Sequence, residues 1–106
     1  MGIDDQLIQE IVQRILTAVR PDRIILFGSA AEGRMGRDSD IDLLILEASP
    51  GDVWEESARA YRFLRGLSFP FDVFVMATEA FEESKNVVGG LAYPANKYGR
   101  VIYEAA

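Results

Sequence analysis

Leu26-Phe27-Gly28-Ser29 precedes, by a spacer of ten residues, the run Asp40-Ile41-Asp42-Leu43-Leu44-Ile45. The pattern predicts a strand that ends in Gly-Ser, a short connection, and a second strand that begins with two acids. Because side chains alternate along a strand, Asp40 and Asp42 would point to the same face of the sheet. Two carboxylates beside an apolar run are costly unless a cation neutralises them.

The residue types available in the chain favour a hard cation at these acids. The sequence contains neither His nor Cys, so oxygen atoms are the natural ligands, and oxygen ligands suit Mg²⁺. Gly28 would let a phosphate approach the backbone, and Ser29 offers an N–H group and a hydroxyl. A phosphate cradle beside metal-binding acids indicates phosphoryl or nucleotidyl transfer. The alternative is that Asp40 and Asp42 are solvated acids at a strand edge.

The wider run LFGSAAEGRMGRDSDIDLLIL over residues 26–46 resembles the signature of the DNA polymerase β-type nucleotidyltransferase superfamily. It is most similar to the minimal nucleotidyltransferase (MNT) branch, whose members are commonly the antitoxins of HEPN–MNT toxin–antitoxin pairs. The resemblance covers essentially the whole chain. It implies a nucleotidyltransferase catalytic core, ATP as substrate, and two Mg²⁺ ions bridged by Asp40 and Asp42.

The resemblance also implies roles for further residues. Asp72 lies at the start of the next apolar strand. In the family, an acid at this position binds the metal that activates the attacking hydroxyl and serves as general base. The alternative is that Asp72 is a strand-end acid satisfied by a turn. Gly28 and Ser29 would bind the triphosphate. Glu32 stands where the family usually has Arg, and a carboxylate repels phosphate. Arg37 or Arg34 would replace that cation, or both are simply solvated.

Composition and charge narrow the classes of function. With 106 residues, the chain is expected to form a single domain over 1–106. The net charge of −6 disfavours a nucleic-acid binder, which would present a basic face. No apolar run reaches the length of a membrane span, and the N-terminus lacks the basic start of a signal peptide. We therefore expect a cytoplasmic protein with no membrane contact.

The hydrophobic pattern predicts an α/β (α+β) fold, with a small mixed sheet and helices packed mainly on one side. Helices are expected over 4–20, 53–66 and 91–98, with a further helix that begins at Thr78 and is broken at Gly89-Gly90. A helical turn is expected over 29–33, and strands over 23–27, 40–46, 71–76 and 100–103. The inner face of helix 53–66 is expected to carry Trp54, Ala58, Tyr61 and either Leu64 or Leu67. If Gly28 and the three acids share one ligand, the first two strands must be antiparallel and the second and third parallel.

Three functions follow from these expectations. The first is a metal-dependent nucleotidyltransferase that transfers AMP from ATP to a hydroxyl of a partner protein, with a HEPN toxin as the acceptor. The second is a catalytically idle antitoxin that acts as a protein-binding module, with Glu32 marking a decayed site. The third is nucleotidyl transfer to a small molecule, for which a homo-oligomer would have to build the pocket. Tyr93 and Tyr98 either stack on a base, contact a partner, or cover a core edge.

Overall fold

The computed structural model describes residues 3–33 and 40–106. The elements in chain order are α1 (Asp5–Ala18), β1 (Arg23–Phe27), a 3₁₀ turn (Gly28–Ala30), β2 (Ile41–Glu47), α2 (Val53–Leu64), β3 (Phe71–Ala77), α3 (Thr78–Ser84), α4 (Ala92–Tyr98) and β4 (Arg100–Glu104). The strands form one four-stranded sheet in the order β3-β2-β1-β4. Within the described ranges, each helix is too short or too polar to cross a bilayer.

Local sequence signals fix the starts of the two long helices. The Asp4 carboxylate accepts a hydrogen bond from the Leu7 amide at 2.8 Å and caps α1. The Asp52 carboxylate accepts hydrogen bonds from the amides of Trp54 at 3.0 Å and Glu55 at 3.2 Å, and caps α2. Each cap satisfies amides that have no partner inside the helix, which is worth about 1 kcal/mol.

The strand pairings confirm the predicted mixed topology. β1 is antiparallel to β2 and to β4, whereas β2 and β3 are parallel. β2 is an inner strand, and its apolar residues Leu43 to Leu46 are fully buried. Burial on both faces explains why this strand is a continuous apolar run rather than an alternating one.

Helices cover both faces of the sheet. α1 and α2 pack on one face, where Ile11 and Ile15 meet Leu43 and Ile45. The two seven-residue helices α3 and α4 cover the other face, where Phe81, Ala92 and Ala95 pack against Ile25, Phe27, Leu44 and Leu46. The predicted fold class is confirmed, and the longer pair of helices lies on one side as expected.

The predicted inner face of α2 is wrong at Trp54, Ala58 and Tyr61, which are exposed, and correct at Leu64, which is buried. Trp54 is 82% exposed and Tyr61 is 47% exposed, whereas Ala60 and Leu64 are buried. Two hydrogen bonds fix the end of α2, because the Arg14 guanidinium donates to the carbonyls of Phe63 at 3.2 Å and Arg65 at 3.0 Å. The small side chain of Ala60 lets α2 pack closely on the core. The larger aromatic rings therefore point to solvent.

Candidate nucleotide and metal site

Three strand ends meet at one edge of the sheet. β1 ends where β2 begins because the two are antiparallel, and β2 and β3 begin together because they are parallel. Asp42 is therefore the register partner of Phe27 on one side and of Asp72 on the other. The Ile41 amide donates to the Pro70 carbonyl at 2.9 Å, which fixes the start of β2 against that of β3.

Gly28 lies directly against the Asp42 carboxylate. Its φ angle is +75°, a backbone conformation that residues other than glycine rarely adopt. A Cβ atom at this position would overlap the Asp42 carboxylate oxygen. Glycine is therefore required both by the turn and by the close approach of the acid. The contact joins the two halves of the sequence motif in space.

The residues after Gly28 form the helical turn that the sequence predicts. The 3₁₀ turn spans Gly28–Ala30, with Ser29 half-buried and Ala30 buried. The Glu32 amide donates to the Gly28 carbonyl at 3.3 Å and extends the turn. The first amides of such a turn have no acceptor within it, so they are available to an anion.

The three acids interact with one another. A hydrogen bond with Asp72 and its negative charge raise the pKa of Asp40. Burial raises the pKa of Asp42 to about 6, and the charges of Asp72 and Asp40 add to the effect. Burial of Asp42 and the closeness of the three carboxylates both favour the protonated forms. A bound cation would reverse the direction of these shifts.

The donor atoms at this edge fit a hard divalent cation. Within residues 3–33 and 40–106, no three acidic side chains already converge in the arrangement of a metal site. Asp40, Asp42 and Asp72 nevertheless repel one another in pairs, and all their ligand atoms are carboxylate oxygens. Asp40 and Asp72 are exposed, so their side chains are accessible to an incoming ion.

The sequence predicts cationic side chains beside the phosphate cradle. Arg34 and Arg37 lie outside the described residues, so Arg37 as a nucleotide-binding residue stays a prediction. Glu32 is exposed in the turn that follows the 3₁₀ helix. Glu32 lies four positions after Gly28 and three after Ser29. Its negative charge would therefore repel an anion bound at these two residues.

The sequence interpretation missed a lysine on α4, which packs against the 3₁₀ turn. The Lys97 amine donates to the Tyr93 hydroxyl at 3.1 Å, and this bond raises the pKa of Lys97. The same amine lies 5.5 Å from the ring centre of Tyr93 and 5.4 Å from that of Tyr98. The spacing of four residues between Tyr93 and Lys97 is the signal that could have identified the pair.

The chain is similar to known proteins over the region that contains the candidate site. A family model described as a nucleotidyltransferase domain matches residues 6–92, which is most of the chain. The matched segment contains Gly28, Ser29 and all three acids. Among curated proteins, none matches the sequence significantly.

Solved structures share the fold. A toxin–antitoxin structure with AMP-PNP has a TM-score of 0.65 and 19% identity, over 92% of this chain and 73% of that chain. A protein of Sulfolobus solfataricus, described as a candidate nucleotidyltransferase, has a TM-score of 0.64 and 22% identity, over 93% and 78%. A toxin–antitoxin MntA-HpeT variant with two Asp-to-Glu substitutions, two positions apart, has a TM-score of 0.62 and 16% identity, over 92% and 73%.

Proposed function

The chain belongs to the nucleotidyltransferase family, and we propose that it transfers AMP from ATP to a hydroxyl on a partner protein. Asp42 is the residue on which the proposal depends. Its carboxylate packs against Gly28, and its register partner is Asp72. A phosphate held at Gly28 and Ser29 would therefore lie beside all three acids. This proximity is what in-line nucleotidyl transfer requires.

The residues divide the chemistry among them. Ser29 and the backbone of the 3₁₀ turn bind the triphosphate. Asp40, Asp42 and Asp72 would hold two Mg²⁺ ions, which supply positive charge to the phosphates and promote ionisation of the attacking hydroxyl. A bond forms between the acceptor oxygen and the α-phosphorus, and the bond to pyrophosphate breaks. Asp72, exposed on the outer strand β3, accepts the proton of the hydroxyl.

A toxin is the proposed acceptor. One structural neighbour is a toxin–antitoxin structure with AMP-PNP, and another is a toxin–antitoxin MntA-HpeT variant. The two substituted acids of that variant have the same spacing as Asp40 and Asp42. Together with the sequence resemblance to HEPN–MNT antitoxins, these neighbours support a HEPN-type toxin as partner and an antitoxin role for this chain.

The test of transfer is the Asp72→Asn variant. The wild-type protein is incubated with Mg²⁺, ATP and the purified product of the neighbouring gene, and the mass of that product is measured by intact-protein mass spectrometry. We expect a mass increase of one AMP with the wild-type protein. Asp72→Asn should lower the rate by orders of magnitude, because a charge that acts in the transition state is lost. Asp5→Asn, 89% exposed on α1, is the matched control and should retain full activity.

A second experiment tests the metal assignment separately. Mg²⁺ and ATP together should raise the melting temperature of the wild-type protein, because only the folded state binds them. ATP in excess EDTA should give no increase, since the acids alone repel the triphosphate. Equal stabilisation by ATP in EDTA would contradict the assignment of Asp40 and Asp42 as metal ligands.

Exposed aromatic side chains favour a second candidate function, neutralisation of a toxin by contact alone. Trp54 and Tyr61 lie on one face of α2 with 82% and 47% of their surface exposed. Aromatic residues of this kind are enriched at protein interfaces. In this case Asp72→Asn would still neutralise the toxin, and neither protein would produce an AMP adduct. An AMP adduct that forms with the wild-type protein but not with Asp72→Asn would show that the protein acts as an enzyme.

A further inference from the structure

A polar cavity lies at the opposite end of β2 from the acids of the candidate site. Its volume is about 340 Å³, and Glu47, Glu56, Arg59, Arg20 and Ser49 contribute to its lining. Glu47 is the last residue of β2, and Asp42 is five residues before it. At ~3.3 Å per residue, roughly 16 Å of strand separates this cavity from the candidate site.

Glu47 is a buried acid whose carboxylate is incompletely satisfied. It is 6% exposed. Among the residues that the structure describes, Glu47 is the charged residue that is buried. Its Oε2 atom is buried and accepts no hydrogen bond. A buried carboxylate oxygen without a partner is destabilising, so buried acids are usually paired with a cation or a hydrogen-bond donor.

The surrounding charges leave an excess of negative charge at the cavity. Burial, a hydrogen bond with Glu56 and the charge of Glu56 raise the pKa of Glu47 to about 7. Asp22 adds further negative charge, and its own carboxylate accepts a hydrogen bond from the Thr78 hydroxyl at 2.6 Å. Arg20 and Arg59 also line the cavity. Arg59 contacts Glu56 at 3.4 Å and is shared with Glu55 at 3.7 Å, so the three acids Glu47, Glu56 and Asp22 outnumber the two arginines.

We propose that Glu47 and Glu56 bind a hard divalent cation, such as Mg²⁺ or Mn²⁺, in this cavity. Two carboxylates match the charge of such an ion, and the Ser49 hydroxyl lines the same cavity as a further oxygen donor. No third acid joins them within the described ranges, so water completes the coordination shell. The cavity has room for that water, and Mg²⁺ characteristically retains several water ligands.

The site is independent of AMP transfer. It lies on the other edge of the sheet and uses none of Asp40, Asp42 or Asp72. A protein that lacks transferase activity would still bind the ion here, and loss of the ion here would leave the candidate catalytic acids intact. The two proposals therefore fail separately.

Mn²⁺ titration of the ¹⁵N-labelled protein tests the proposal, because the ion broadens the NMR signals of nearby amides. We expect substoichiometric Mn²⁺ to broaden the amides of residues 47–53, as a group separate from those around Asp42 and Asp72. Glu56→Gln should abolish the broadening at 47–53 and leave the other group unchanged. The Glu56 side chain is 17% exposed, so Glu56→Gln removes one ligand without altering the buried end of β2.

Glu55→Gln is the matched control, since Glu55 lies on the same helical turn with a side chain that is 67% exposed. It should bind Mn²⁺ as the wild-type protein does. Arg59→Gln removes the competing cation and should lower the Mn²⁺ concentration needed for half-maximal broadening by at least twofold. Sharp signals at 47–53 in the wild-type protein, or broadening that survives Glu56→Gln, would overturn the proposal.

Discussion

Glu47→Gln should make the protein more stable at alkaline pH, with a much smaller gain in stability at pH 5. Burial and the Glu56 carboxylate raise the pKa of Glu47 from 4.5 to about 7 in the folded protein. Between these values the folded state holds a proton that the unfolded state has released, so a rise in pH favours unfolding. Gln keeps the size of the protonated side chain and does not ionise.

The magnitude follows from the difference between the two pKa values. At ~1.4 kcal/mol for each pKa unit, ionisation of Glu47 lowers the free energy of unfolding by at most about 3.5 kcal/mol. Relaxation and water around the ionised carboxylate reduce this cost, so the expected gain for Glu47→Gln at pH 8.5 is about 1–3 kcal/mol. At pH 5, where much of the unfolded state is already ionised, the difference between variant and wild type should be smaller, about 0.5–1 kcal/mol.

Urea unfolding in EDTA at pH 5, 6, 7 and 8.5 measures this difference, and EDTA removes any ion that would hold Glu47 in its charged form. Asp40 and Asp42 titrate identically in both proteins, so their contributions cancel in the comparison. Glu83→Gln, exposed on α3, is the control and should run parallel to the wild type. A difference between Glu47→Gln and wild type that is constant across this pH range would refute the electrostatic reasoning.

Three further substitutions test other parts of the structure. Gly28→Ala should abolish stabilisation by Mg²⁺ and ATP and lower the melting temperature, because its Cβ would overlap the Asp42 carboxylate. Unchanged stabilisation by ATP would contradict that contact. Glu32→Arg should lower the Kd for Mg²⁺–ATP by about tenfold, or ~1.4 kcal/mol, measured by calorimetry. Unchanged affinity would place the Glu32 side chain away from the phosphates. Leu64→Ala should lower the free energy of unfolding in urea by about 2–5 kcal/mol, whereas Trp54→Ala should change it by less than about 0.5 kcal/mol. Equal losses would show that Trp54 is buried against the core as Leu64 is.

The strand framework could be predicted because its signals are local and strong. The apolar runs at 23–27 and 41–46 exceed what a solvated segment carries, and the acids mark where β2 and β3 begin. The requirement that Gly28, Asp42 and Asp72 meet then fixed the antiparallel and parallel pairings, which the register confirms. Chemistry supplied a long-range constraint that periodicity alone lacks.

The remaining features depend on contacts that no local pattern encodes. The orientation of α2 is determined by close packing at Ala60 and by hydrogen bonds from Arg14 on another helix, so the aromatic residues gave a misleading apolar stripe. Glu47 reads as an ordinary polar residue at a strand end. Only the docking of α2 beside the end of β2 brings Glu56 into contact with Glu47 and buries the Glu47 carboxylate.

The parallel pairing of β2 with β3 also determines when the acids meet during folding. β1 and β2 are joined by a short connection, so their antiparallel pair closes over a small loop. Asp72 lies 30 positions after Asp42 and becomes its neighbour only when β3 docks beyond α2. Closure of the longer loop is slower, since its ends must be brought together against a larger loss of chain entropy. The repulsion between Asp72 and the acids at the start of β2 therefore arises late, after the hydrophobic inner strand has gained its first partner.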